Sequence, residues 1–209
     1  MEVTYPIVRK TYQAAEIEID PGEVLRYLGY KKDLVTAEDI SQVEAFIPEA
    51  RAAIKPAACW GRFAVQLHPK NKITFPYGEV ISKDLSRNLA GCSEIFLFAA
   101  TIGLEYDRLV QRARISSMAK ASFLNAIGAA SVENVCDQLN EELRQLAAGE
   151  GKSLRPRYSA GYGDYTLENQ RGIFDLLTPS KYIGLALKDN LIMVPEKSVT
   201  AVIGIEIKE

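Results

Sequence analysis

The run Arg157-Tyr158-Ser159-Ala160-Gly161-Tyr162-Gly163-Asp164 concentrates the residue types in this chain that could do chemistry. An arginine guanidinium presents a planar fork of N–H donors that matches a carboxylate through two parallel hydrogen bonds. Tyr158 and Tyr162 carry rings able to lie on a purine or meet a cation face-on. Ala160, Gly161 and Gly163 put little side chain in the way, so backbone N–H groups can come close to a ligand. Arginine for a carboxylate, tyrosine for a ring or a sulfonium, and open backbone between them suit a nucleoside that bears an amino acid. A hydrogen bond to a charged group contributes about 1.5–3 kcal/mol, so such a clamp would dominate binding. The same residues also read as a plain turn, because Gly-Tyr-Gly-Asp is a turn signal in its own right.

Other candidates are weaker. His68 precedes Pro69 in a turn and has no Cys, Asp or Glu neighbour to work with. Ser198 lacks the His-Asp company a nucleophilic serine needs. Asp164 and Tyr165 sit beside the Arg157 loop and either help it or shape the turn. Trp60 reads as a partly buried strand residue, and Phe96, Phe98 and Phe123 as core. Cys59, Cys92 and Cys136 are far apart, odd in number and without a CxxC, which predicts buried thiols and neither a disulfide framework nor a metal site. There is no GxGxxG and no phosphate-binding P-loop.

The elements that must position the loop follow from periodicity and breakers. A long helix is expected from Ser116 or Ser117 to Ala148, closed by Gly149 and Gly151. Its middle, residues 126–131, is built of small side chains that would let another backbone or a ligand approach. Residues 137–144 read as its solvated face. Residues 94–100 form an apolar run suited to a buried strand, followed by a helix to about Arg114. Upstream, residues 15–19 alternate like a strand, and Asp20-Pro21 and Gly29 bracket a short helix. Thr36 opens another helix, which Pro48 is expected to kink or break. Residues 63–67 and 72–75 read as a hairpin turning at 68–71. Beyond the loop, a helix over 167–177 stops at Pro179. The segment 191–207 reads as two strands meeting near Pro195, with Val199, Ala201, Ile203 and Ile205 on one buried face. Mixed blocks without a βαβ rhythm predict an α+β fold: a largely antiparallel sheet, a long central helix and flanking helices.

Bulk properties bound the partners. At 209 residues, the chain suits one large domain or two tightly packed lobes. A formal charge of −2 gathers neither nucleic acid nor an anionic membrane, which leaves proteins and small molecules. The first residues show no basic start followed by an apolar run, and no stretch reaches membrane-spanning length, so a cytoplasmic protein is expected.

Three pieces of the chain, in order, resemble one family. They are Ala129-Ala130-Ser131-Val132-Glu133 in the long helix, Arg157-Tyr158-Ser159-Ala160-Gly161-Tyr162, and Met193-Val194-Pro195-Glu196-Lys197-Ser198-Val199-Thr200. Together they are similar to the activation domain of cobalamin-dependent methionine synthase, over about residues 117–207. In that family an Arg-x-x-x-Gly-Tyr segment holds S-adenosylmethionine, and Glu133 falls on the position of an acidic ligand contact.

The resemblance implies roles. Arg157 would pair with the methionyl carboxylate and Glu133 with the amino group or another polar part of the ligand. Tyr162 and the backbone near Tyr158, Ser159, Ala160 and Gly161 would line the adenosine or sulfonium end. Residues 117–209 would be the ligand-binding part, with 1–116 completing the cleft or forming a docking face of one compact unit. The chain has no Asp-x-His-x-x-Gly for cobalamin, so the corrinoid would come from a partner methionine synthase or related corrinoid protein. A flavodoxin- or ferredoxin-like protein would supply the electron. Methyl transfer to that corrinoid asks no general base of this chain, and the sequence offers no catalytic dyad. Two other readings stay open: a docking or S-adenosylmethionine-sensing factor without catalysis, and a methyltransferase acting on a small molecule.

Overall fold

The computed structural model describes residues 6–207; the readings made on residues 1–5 and 208–209 lie outside it. Its strands are β1 (Val8–Thr11), β2 (Ala57–Ala64), β3 (Gln66–His68), β4 (Lys72–Phe75), β5 (Gly78–Ile81), β6 (Glu94–Thr101), β7 (Lys152–Leu154), β8 (Ala186–Leu187), β9 (Met193–Val194) and β10 (Ser198–Ile207). The α-helices are α1 (Pro21–Tyr27), α2 (Ala37–Ala53), α3 (Lys83–Asn88), α4 (Leu104–Ser116), α5 (Met118–Gly149), α6 (Gln170–Leu177) and α7 (Pro179–Ile183).

The main sheet runs β1-β2-β6-β10-β7, every neighbouring pair antiparallel. Its central strands are apolar on both sides because both faces are covered. Phe96, Phe98, Ala201, Ile203 and Ile205 face a core shared with α1, α2, α4 and α5. Ile95, Leu97, Ala99 and Val202 face a second core under the small sheet β3-β4-β5, α3 and α6. The molecule is therefore an α+β sandwich of helices, sheet and a smaller mixed layer. Burial on β10 includes Thr200, Val202 and Gly204 as well as Ala201, Ile203 and Ile205, with Val199 partly buried, so two faces are covered where the alternation suggested one.

α5 spans 32 residues, about 48 Å at the helical rise. Ser117 caps it by accepting a hydrogen bond from the Lys120 N–H. Its small-residue middle receives side chains of the chain itself: Tyr106 from α4 and Lys197 crowd Gly128. Asp20 and Thr36 cap α1 and α2 as their sequence suggested, but Pro48 sits inside α2 without ending it.

One expectation is corrected. Residues 15–19 are not a strand: Ala14–Glu16 is a 3-10 turn, and the Glu18 N–H is satisfied by Asn134 Oδ1 on α5 at 3.0 Å, with no strand partner. Ile17 and Ile19 still alternate into the core, which is what mimicked a strand. The two strands expected at the end of the chain do meet near Pro195, as β9, which pairs with β8, and β10, which pairs with β6 and β7. The helix expected to stop before Pro179 does so at Leu177; Thr178 takes a left-handed backbone conformation (φ 44°) and Pro179 opens α7.

Candidate functional site

Residues 155–158 run extended beside β10, with Arg155 N–H on Gly204 O and Tyr158 bridged to Val202 through both backbone groups at 2.9 Å. Extended backbone sends successive side chains to opposite faces. Arg157 points toward α5, and Tyr158 packs against the second core. On α5, Glu133 and Asp137 stand one helical turn apart on the same face. Arg157 bridges them: Nη2 donates to Glu133 Oε2 at 2.6 Å and Nη1 to Asp137 Oδ1 at 2.5 Å. Burial opposes the Arg157 charge, but the hydrogen bond to Asp137 and the two carboxylate charges more than offset it and hold the guanidinium above its ordinary value.

Glu133 and Asp137 also line a cavity of about 280 Å³ with Glu18, Asp20, Glu23, Tyr27, Ala130 and Asn134. A second cavity of about 390 Å³ shares Asp20 and Glu23 as walls and extends to Arg26, Tyr30, Lys32 and Val35. Carboxylates dominate the first. Burial, then the charge of Glu133, push the Tyr27 hydroxyl above its usual range, a local sign of that negative potential. Four of its five acids are already engaged: Glu133 and Asp137 with Arg157, Asp20 in capping α1 through the Gly22 N–H, and Glu23 with Arg26. The cavity thus has the character of a site for a group carrying positive charge, with one guanidinium beside it for negative charge.

The rest of the motif forms a tight loop anchored from below. Gly161 has φ 96°, a conformation glycine tolerates, and its N–H donates to Tyr165 O at 2.7 Å. The Tyr162 N–H donates to Ser159 O, so both of these amides serve the loop. Ala160 is buried in the second core, Ser159 is half-buried, and Tyr162 is 68% exposed. Asp164 accepts hydrogen bonds from the Ser82 hydroxyl and from the N–H groups of Lys83 and Asp84, tying the loop to the start of α3. Of the seven residues singled out by sequence, Arg157 and Glu133 meet directly. Tyr158 and Ala160 pack on the second core, across the sheet from them, and Ser159, Gly161 and Tyr162 belong to the loop tied to α3; none of these five lines the Glu133 cavity.

Sequence reasoning passed over Asp137 and the acids of residues 18–23. Asp137 was legible, since it follows Glu133 by four positions and so shares its helix face. Glu18, Asp20 and Glu23 gave no local signal, because only the packing of α1 on α5 brings them to the site.

No protein-family model and no curated protein matches this sequence. A solved structure does match in shape: the MetH reactivation domain bound to AdoHcy superposes with a TM-score of 0.73 at 15% identity, covering 97% of this chain and 79% of that one. The chain has the MetH reactivation-domain fold. The likeness takes in nearly the whole chain, including the region before residue 117, so the MetH reactivation-domain fold accounts for α1, α2 and the small sheet as well as for α5 and β10.

Proposed function

We propose that this protein is an S-adenosylmethionine-binding reactivation module for a cobalamin-dependent methionine synthase or a related corrinoid protein. The observation that carries the reading is the meeting of Arg157, from the Arg-x-x-x-Gly-Tyr segment, with Glu133 of α5 beside an acidic cavity. The shared fold with a domain that holds AdoHcy supports it. In this reading Arg157 takes the ligand carboxylate, and Glu133 takes the amino group. The loop from Tyr158 to Tyr162, with Ser159, Ala160 and Gly161, lies against the adenosine or sulfonium end. Residues 18–27 complete the cleft from the N-terminal part.

The corrinoid would be carried by the partner protein and would supply the methyl-accepting centre, with the electron coming from a flavodoxin- or ferredoxin-like protein. This chain's own residues bind and orient the methyl donor, and holding two reactants in register removes a large part of a bimolecular barrier. No proton needs to be taken from the acceptor, which fits a site built of ion-pairing groups.

The deciding experiment is calorimetric titration of the purified chain with S-adenosylmethionine, alongside Arg157→Ala. Saturable binding that the substitution weakens by about tenfold or more, or about 1.4 kcal/mol, is expected. A wild-type chain that takes up no S-adenosylmethionine overturns the ligand reading. Binding without any methylation of a reduced corrinoid partner would favour a sensing or docking role.

A further inference from the structure

The main sheet has an open edge at β1, which pairs with β2 and with no other strand among the described residues. The Tyr12 N–H donates to Pro56 O at 3.1 Å, so Val8, Lys10 and Tyr12 are the residues that spend their backbone groups on β2 and its approach. Arg9 and Thr11 therefore turn their N–H and C=O groups outward, where no described residue takes them up. The same two residues line a groove of about 620 Å³ shared with Lys55, Leu104, Tyr182 and Ile183. No carboxylate lines this groove, and the charges on its wall are the cations Arg9 and Lys55. Neither side chain has an ion pair or hydrogen bond among the described residues, whereas Lys10, on the other face, pairs with Glu142 of α5 at 3.1 Å. Lys181 adds positive charge beside the groove, its Nζ 5.4 Å from the centre of the Tyr182 ring.

Charged side chains on an edge strand commonly serve to repel other strands, but a guard needs no concave apolar wall beside it. A second copy of this chain is the wrong occupant, because pairing two β1 edges lays two cationic grooves side by side with no acid between them. We propose that the β1 edge and its groove receive an extended acidic segment of a partner protein by strand addition. The backbone of that segment pairs with Arg9 and Thr11, which gives affinity, and its alternate side chains enter the groove, which gives selectivity. Its carboxylates meet Arg9 and Lys55, and an apolar side chain between them lies against Leu104, Tyr182 and Ile183. The groove shares no residue with the acidic cavity beside Arg157, so this surface is separate from the ligand site.

The test titrates the isotope-labelled full chain, followed by amide NMR, with a blocked peptide in which glutamate, leucine and glutamate alternate with threonine. Shifts centred on β1, Lys55 and Tyr182 are expected, with affinity at least about tenfold lower when lysine replaces the glutamates. Methylating alternate peptide amides along one edge should abolish binding, while methylating those along the other edge leaves it, a distinction that strand addition makes and a loosely held anion does not. Arg9→Glu combined with Lys55→Glu should reverse the preference, taking the lysine peptide over the acidic one, and that gain shows the variant to be folded. An acidic peptide that shifts nothing at β1 overturns the proposal. So does equal binding of both methylated forms, or a preference that the double variant fails to reverse. A wild-type dimer in sedimentation that the peptide disperses assigns the edge to a second copy and also overturns it. Each of these results stands whether or not the chain takes up S-adenosylmethionine.

Discussion

The hydroxyls of Tyr77 and Tyr165 meet at 2.8 Å, joining the turn between β4 and β5 to the loop that carries the Arg157 motif. Tyr165 is fully buried, and burial pushes its hydroxyl up to about 12, so the bond joins two neutral phenols across the ordinary pH range. Tyr165→Phe leaves a half-buried Tyr77 hydroxyl without this partner, at a cost of about 1–3 kcal/mol. Urea unfolding should show that loss. The double variant Tyr77→Phe with Tyr165→Phe should cost less than the two single losses added together, because no unpaired polar group remains.

Gly128→Ala tests the close contact at the middle of α5. Alanine favours a helix over glycine by about 1 kcal/mol. Its Cβ, however, would lie 2.5 Å from the Tyr106 ring and 3.1 Å from Lys197 Cγ. Tyr106 is buried and its hydroxyl is held by Leu124 O at 2.6 Å, so it cannot give way. Overpacking of this kind costs about 1–3 kcal/mol. The clash wins, and a lower thermal midpoint is expected; an unchanged or higher one would show that the ring moves freely.

Asp164→Ala should loosen the loop locally and leave the helical layer intact. The carboxylate accepts from the Ser82 hydroxyl and two backbone N–H groups, and these bonds, the one from Ser82 foremost, hold it below its usual carboxylate range. Hydrogen exchange should speed up at Lys83 and Asp84, with protection along α5 retained.

Acid sensitivity should concentrate at Arg62. This buried guanidinium donates to Glu94 and to Glu150 at 2.7 Å each, and Lys152 joins both acids. The bonds from Arg62 and then Lys152 hold the Glu150 carboxyl down to about 2. At Glu94 burial acts in the other direction, yet the Arg62 and Lys152 bonds outweigh it. An unfolded glutamate titrates at about 4.3. The stability these acids contribute is therefore present above that pH and is lost as pH falls toward about 2. Glu150→Gln should flatten the fall in thermal midpoint over that window; a slope identical to wild type would place the acid-sensitive group elsewhere.

How much of this was legible depends on where each residue's partner lies. α5 declared itself through a long run of helix formers with few breakers and through the closing Gly149 and Gly151, both local. β6 did so through an apolar run that needs cover on both faces. The Arg157–Glu133 contact was reachable because a family resemblance placed both residues in one site. The strand-like alternation of Ile17 and Ile19 misled because Glu18 hydrogen-bonds Asn134, a helix side chain 116 residues away, and nothing nearby in sequence announces it. The placement of Tyr158 across the sheet from Arg157 follows from the period of extended backbone, once Tyr158 is known to bridge Val202. The acidic cavity needed α1 and α5 in contact, which no local pattern encodes.

β10 fills the gap between β6 and β7, and its residue Ser198 meets Thr101 from 97 positions earlier. A ribosome delivers β2 and β6 long before β10, so the nascent chain carries an open, apolar strand edge through the synthesis of everything in between. Such edges recruit other strands. Growth of this protein thus includes a waiting period in which α4 and α5 are available as temporary cover for one face, and the edge itself is closed only when the stretch ending at Ile207 leaves the exit tunnel.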